Sequence, residues 1–354
     1  MEKSLGGARF APETVYLNTA TAGLLPDRAA AVLRQAVEDG VAGRPTPGAG
    51  FESVGVARAA FARLVGVPAE RVSVAGSVAV HVGVIAAALP SGAEVLVADG
   101  DFSSLVNPFA MRGDLKLRSV PLEDLAGAVR PGTALVAVST VQSADGRIAD
   151  LDAIRTAARA HGARTLVDAT QAAGWLPLRA GDYDYTVCGA FKWLLCPRGT
   201  SFLVVPGNCD DLQPLYAGWA AGEEPWSSTY GPIEHLAGSA RRFDESPATL
   251  PYLAAQHSLA VIEELTPEAI GAHNRALADR FRAGLTRLGH RHVPAPGSAI
   301  VAVPGLGHAE EALVGAGAQL SVRAGNLRAA FHLYNTRSDV DRVLDVLEGF
   351  PPQH

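Results

Sequence analysis

Asp168 and Lys192 stand close together in the sequence, and both have side chains suited to more than holding a fold. Asp168 closes the short β-prone run Thr165-Leu166-Val167, while Lys192 sits between Phe191 and the apolar Trp193-Leu194-Leu195. The chain has three lysines, Lys3, Lys116 and Lys192, against many arginines, so a lysine placed in apolar surroundings is there for what arginine cannot do. A desolvated ammonium can lose its proton and act as a nucleophile, whereas a guanidinium stays protonated in proteins. A carboxylate at the carboxyl end of a buried strand lies where open α/β sheets place their ligand crevices, and it can hold a protonated ring nitrogen.

The elements that must position this pair are readable from alternation. Apolar strand-like runs at 72–75, 94–98, 116–120, 134–139 and 164–168 have helical stretches between most of them, which predicts a mainly parallel sheet covered on both faces. Strands near 184–188 and 201–205 follow with no room for a crossover helix, so one of them is expected to run antiparallel, joined by the Lys192 loop. Val72 to Pro90 carries no Asp, Glu, Lys or Arg; Gly76-Ser77 divides it into a buried strand and a helix over 77–89 with Ser77 as its cap, in preference to a membrane span. Further helices are expected at 27–39 and 51–65. After about 206 come a Gly/Trp-rich loop, a long helical region over 248–289, strands at 299–303, 319–322 and 329–333, and a closing helix at 338–348. Residues 1–45 are expected to go with the small domain or the substrate mouth, 46–245 to form the large domain and 246–354 a small α+β domain.

A net charge of -6 and a pI near 5.9, without a dense basic run, argue against a nucleic-acid surface and favour a small-molecule partner. Three cysteines, Cys188, Cys196 and Cys209, favour a reducing compartment, and with no apolar leader at the start the expected location is the cytoplasm. Cys196 is expected to pack as a small apolar residue despite its nearness to Lys192. His81, His235, His257 and His332 have no zinc-ligand spacing, so no metal is expected.

Pyridoxal phosphate needs a lysine for its aldehyde, an acid for its ring nitrogen, an anion site for its phosphate and a flat group over its ring. The turn Gly76-Ser77-Val78 at a strand-to-helix junction is a candidate anion site, because free N–H groups and the helix dipole both favour an anion there. Phe102, following the strand at 94–98, is the candidate aromatic. Asp168-Ala-Thr-Gln171, Gly189-Ala-Phe-Lys192-Trp193 and Pro197-Arg198-Gly199 together resemble the core of class V, cysteine desulfurase-like pyridoxal phosphate enzymes of fold type I, and the resemblance extends from about Tyr16 to Leu347.

That resemblance implies a Schiff base on Lys192, Asp168 on the ring nitrogen, Gly76, Ser77 and Val78 at the phosphate, and Phe102 stacked on the ring. It further implies that Gln171 meets the ring hydroxyl and Gly189 the phosphate, that Ser246 reaches the phosphate from a partner subunit of a homodimer, and that Arg328 forks onto the substrate α-carboxylate. Ser143, Asn18 and Thr19 fall near the substrate, and Arg323 is a weaker second candidate for it. The chain departs from the desulfurases in having Phe102 and Phe191 where they have histidines, and only Ala-Gly-Asn-Leu between Arg323 and Arg328, with no cysteine-bearing loop. The expected enzyme is therefore a lyase working by β-elimination, C–S or similar, on a small-molecule amino acid, with an aminotransferase or epimerase as alternatives and a place in specialised metabolism. A nicotinamide dehydrogenase is disfavoured, since the first turn lacks Gly-x-Gly-x-x-Gly; a non-catalytic binding protein on the same fold is disfavoured by Lys192, Asp168 and Arg328 occurring together.

Overall fold

The computed structural model describes residues 3–207 and 211–352, so Cys209 lies outside the described residues. The strands in chain order are β1 (Val15–Tyr16), β2 (Val72–Ala75), β3 (Glu94–Ala98), β4 (Lys116–Val120), β5 (Thr133–Ser139), β6 (Arg164–Asp168), β7 (Tyr185–Gly189), β8 (Ser201–Val204), β9 (Ile300–Val303), β10 (Ala318–Gln319), β11 (Ser321–Arg323) and β12 (Asn326–Ala330). The helices are α1 (Asp27–Val41), α2 (Phe51–Leu64), α3 (Val78–Ala88), α4 (Ser103–Ala110), α5 (Leu151–His161), α6 (Thr249–Leu265), α7 (Pro267–Arg287), α8 (Glu310–Gly315) and α9 (Arg337–Leu347).

Seven strands form one sheet in the order β2-β8-β7-β6-β5-β3-β4, in which β8 runs antiparallel to both its neighbours and the other pairs are parallel. The antiparallel return after the Lys192 loop is the one the missing crossover helix required. Period-two alternation sends β5 side chains to opposite layers: Leu135 and Ala137 pack with Val82 and Ile85 of α3, while Val136 and Val138 pack with Ile154 and Ala158 of α5. Both faces being covered explains why these strands read as continuous apolar runs. The β4 edge is more exposed and charged, and Arg118 on it pairs with Glu94 of β3 at 2.9 Å.

A second sheet, β11-β12-β9, is antiparallel and shares a core with α7 and α9 through Leu277, Phe281, Leu327, Phe331 and Val343. The N-terminal segment joins this part: β1 pairs in parallel with β10, and Ala330 donates its N–H to Leu17 O at 2.8 Å.

Three expectations about the second half are corrected. The helical region 248–289 is two helices, broken at Thr266, whose φ is 62° and whose hydroxyl caps α7 ahead of Pro267. The strand expected at 319–322 is split at Leu320, where the chain passes from its parallel partner β1 to its antiparallel partner β12. The strand expected at 329–333 runs instead from Asn326 to Ala330, because Ala324 and Gly325, at φ 49° and 77°, turn the chain back immediately after β11. Arg328 is therefore inside a strand, opposite Ser321 and Ala302, and does not precede one.

Candidate active site

The carboxyl ends of β3, β5, β6 and β7 open into one cleft of about 280 Å3. They meet where β4 lies on one side of β3 and β5 on the other, a reversal of winding that leaves a crevice outside the strand ends. Phe102 enters from the turn after β3, Ser143 from the turn after β5, Asp168 from the end of β6 and Gly189 from the end of β7. Lys192 completes the wall from the loop that follows.

Asp168 is buried, and one carboxylate oxygen accepts the Thr170 N–H at 2.8 Å. Desolvation pushes its carboxyl up to about 6, against the opposing pull of Thr170 and of the Lys192 charge. Desolvation likewise brings the Lys192 ammonium down to about 8, with Asp168 holding it up and Arg328 pressing it lower. Its Nζ lies 4.9 Å from the centre of the Phe102 ring and 5.6 Å from that of Phe191. Phe102 is held in turn by Asp101, whose carboxylate accepts the Phe102 N–H at 2.6 Å and the Ser139 hydroxyl at 2.5 Å.

The Lys192 loop is fixed from three directions. The Trp193 indole N–H donates to Gln171 Oε1 at 2.7 Å, and the Trp193 carbonyl lies 3.0 Å from Nε2 of the buried His332, whose pKa desolvation lowers to about 3. Gly23 donates its N–H to Phe191 O at 2.9 Å, and a β-carbon at Gly23 would stand 2.1 Å from Lys192 O, so only glycine permits that approach. Leu195 takes a left-handed φ of 59° within the same loop.

At the other end of the cleft, Ser77 is the N-cap residue of α3 yet makes no side-chain capping bond, which leaves the helix start without an internal anion partner. The Gly76 N–H is accepted by the Glu245 carboxylate in a short hydrogen bond. That carboxylate lies at the turn where the sequence reading expects a phosphate oxygen. Arg198 lines the cleft with its guanidinium 4.3 Å from the Phe191 ring centre.

Gln171 is more committed than its position implied. Its Nε2 donates to Ala20 O at 3.0 Å and to Ser143 Oγ at 2.9 Å, so both amide hydrogens are engaged. Ser143 also receives Arg328 Nη1 at 3.2 Å, and its carbonyl accepts a short bond from the same atom. Arg328 is buried and donates further to Ser321 Oγ and to Thr21 Oγ1, the latter at 2.8 Å.

Thr19 is fully buried with its hydroxyl paired to Tyr334, and so lies behind the cleft wall. Asn18 bridges to Ala330 and leaves Oδ1 buried without a partner among the described residues. Ser246 packs against Gly218 and is not among the residues lining its own chain's cleft. Cys196 is buried and its thiol is pushed up by desolvation, as expected of a packing residue. Thr21, Arg198 and Glu245 were missed as site residues. A hydroxyl or a charge in a loop gives no periodic signal, and the Glu245 contact spans 169 positions.

A sequence model of the family Aminotransferase class-V matches residues 57–343. The chain belongs to this family. Two curated relatives cover 83% of the chain and 83% of their own length: the isopenicillin N epimerase of Streptomyces clavuligerus at 29% identity and an uncharacterized aminotransferase of Bacillus subtilis at 25%. A kynureninase of Stenotrophomonas maltophilia is 31% identical over 50% of the chain and 43% of its own length. Among solved structures, a cystine C–S lyase in complex with cysteine persulfide shares the fold at a TM-score of 0.85 and 23% identity, covering 96% of this chain and 98% of that one. The cysteine desulfurase of Thermococcus onnurineus does so at 0.82 and 20%, covering 95% and 94%. This class V chain thus has the α/β architecture of fold type I, with a mainly parallel central sheet, and pyridoxal phosphate is its cofactor. The cleft fits that cofactor, with a buried acid, a lysine whose ammonium burial brings down, an aromatic ring and a turn ahead of α3 whose Gly76 N–H meets a carboxylate around one cavity.

Among the described residues there is no cluster of His, Cys, Asp and Glu able to hold a metal ion, and no helix long and apolar enough to cross a membrane.

Proposed function

We propose that this class V enzyme is a lyase that breaks a bond at Cβ of a small α-amino acid, with Lys192 carrying the cofactor and then moving the proton at Cα. When bound, pyridoxal phosphate supplies an aldehyde for the lysine and a protonated ring that draws electrons from Cα. Asp168 keeps the ring nitrogen protonated, Phe102 packs on the ring, and Ser77, Val78, Gly76 and Gly189 hold the phosphate, with Glu245 yielding its place. Arg328 holds the α-carboxylate beside Ser143, orienting Cα toward Lys192. Gln171 anchors Ser143 and Trp193 and thereby places both groups.

One observation favours elimination over two-base epimerisation. Of the described side chains lining the cleft, Lys192 and Asp168 alone exchange protons near neutral pH; the others are hydroxyls, glycines, phenylalanines, Val78, an amide and Arg198. With Asp168 committed to the ring, one lysine is left to take the Cα proton and to serve the leaving group. Elimination asks for no more than this. Epimerisation with two bases asks for a second carrier, although the curated relative named isopenicillin N epimerase keeps that reading open alongside transamination.

Single amino acids offered to the protein with added pyridoxal phosphate separate the three. Ammonia and a keto acid formed with no amino acceptor support the lyase. A keto acid formed only with an added keto-acid acceptor makes it an aminotransferase, and loss of optical activity with neither makes it an epimerase.

The same reading takes residues 46–245 as the large domain, 246–354 as the small domain and 1–45 as joining the latter. It makes the enzyme a cytoplasmic homodimer of specialised amino-acid metabolism, in which Ser246 of a second copy reaches the phosphate.

A further inference from the structure

The cleft adjoins a pair of unneutralised guanidiniums. Arg328 Nη2 and Arg323 Nη2 both donate to Thr21 Oγ1, at 2.8 and 3.1 Å. The two nitrogens are therefore separated by no more than two hydrogen bonds laid end to end. Among the described residues, every acceptor that Arg328 and Arg323 reach is neutral: the Ser321, Ser143 and Thr21 hydroxyls and the Ser143 and Val322 carbonyls. No carboxylate among the described residues lies within ion-pair distance of either, although ion pairs such as Arg58–Asp244 and Arg118–Glu94 are formed elsewhere among them.

Two like charges held this close repel, and for Arg328 the repulsion is added to the cost of burying a cation. Neutral acceptors fix the guanidinium geometry but leave the charge. Thr21 adds to the site: with both oxygen lone pairs taken by arginine donors, its own O–H remains as a donor. Two cations and one hydroxyl hydrogen converge on a site next to Ser143, which lines the cleft.

The backbone builds the pair deliberately. The turn at Ala324 and Gly325 folds β11 onto β12 so that Arg323 pairs with Asn326 and Arg328 with Ser321, bringing two arginines five positions apart to one hydroxyl. Arg323 is exposed and Arg328 is buried, so the pair runs from solvent inward.

We propose that Arg323 and Arg328, joined through Thr21, select α-amino acids that carry a second carboxylate. The proposal rests on the reading of Arg328 as the α-carboxylate site. Arg328 takes the α-carboxylate and Arg323, at the mouth, takes the distal one; a substrate with a single charge leaves the outer guanidinium unpaired.

The test uses carboxylates that cannot react. Glutarate and valerate, alike in carbon chain length but not in charge, are titrated calorimetrically into the protein loaded with pyridoxal phosphate. The expected result is at least tenfold tighter binding of glutarate, a ratio that falls to near one in Arg323→Gln and recovers in part in Arg323→Lys. Arg328→Gln weakens both ligands. Equal affinities in the unaltered protein would overturn the proposal. So would an Arg323→Gln variant that weakens glutarate and valerate alike, since both arginines would then share one carboxylate, or a ratio lost in Arg198→Gln and kept in Arg323→Gln. The visible band of the lysine-bound cofactor, recorded on the same samples, tests the enzyme reading separately: its absence counts against Lys192 chemistry and leaves the anion ratio readable.

Discussion

The Trp193 indole N–H donates to Gln171 Oε1 at 2.7 Å, which ties the loop bearing Lys192 to the strand end bearing Asp168. Both residues are buried, and the bond crosses from one limb of the site to the other. Replacing Trp193 by Phe keeps an aromatic ring and leaves Gln171 Oε1 without its donor. The expected cost is about 1–3 kcal/mol, the penalty of an unmade buried hydrogen bond. Denaturant unfolding measures it, and cofactor affinity should fall in the same variant because the lysine loop loses its tie.

Glu245 holds the Gly76 N–H at the turn ahead of α3, so on the proposed reading carboxylate and phosphate compete for one turn. Glu245→Gln removes a negative charge from that end and should tighten pyridoxal phosphate roughly threefold to tenfold, in line with the worth of a charge beside a helix terminus. Equilibrium dialysis of the cofactor against the two proteins reads this directly. Unchanged or weaker binding in the variant would mean that Glu245 does not contend with the phosphate.

Asp168, buried against the cleft, works against the stability of the cofactor-free protein. Its carboxyl is raised from an ordinary value of about 3.9 to about 6 by burial. Folding thus favours the protonated form, and the stabilisation present below the ordinary value is lost as pH rises through about 6. Above that, the buried charge costs about 3 kcal/mol. Cofactor-free Asp168→Asn should therefore melt several degrees higher than the unaltered protein at pH 8, with the gap closing near pH 4, while the loaded variant loses most of its turnover. Calorimetry across pH checks the first and any product assay the second.

The candidate lysine was legible because the rest of the chain has only two more, and the candidate acid because of where it falls in a strand. Lys192 stood out in an arginine-rich sequence, and Asp168 stood out by ending an apolar run; the parallel strands were readable because burial on both faces gives them unbroken apolar stretches. The register of Arg328 was not, since Asn326 and Leu327 look like loop until the Ala324-Gly325 turn is seen to need only two residues. The break between α6 and α7 did have a signal, Thr266-Pro267, a cap followed by a proline at the first helical position. The Thr21 bridge and the Glu245 contact depend on residues 307 and 169 positions apart, and nothing local records them.

Burial brings the Lys192 ammonium down to about 8, so its neutral, nucleophilic form grows in through that pH and not through the ordinary lysine value. The rate at which the cofactor-free protein takes up pyridoxal phosphate covalently should rise with pH and level off above about 8. Stopped-flow absorbance follows it. Asp168→Asn should move the inflection lower, because the Asp168 charge helps to keep Lys192 protonated.

The account rests on Lys192, and the absorption spectrum of the purified protein with added pyridoxal phosphate tests it most directly. A visible band that is shifted by an amino acid and absent in Lys192→Ala is the predicted result. No such band in the unaltered protein, or one that persists in Lys192→Ala, would contradict it.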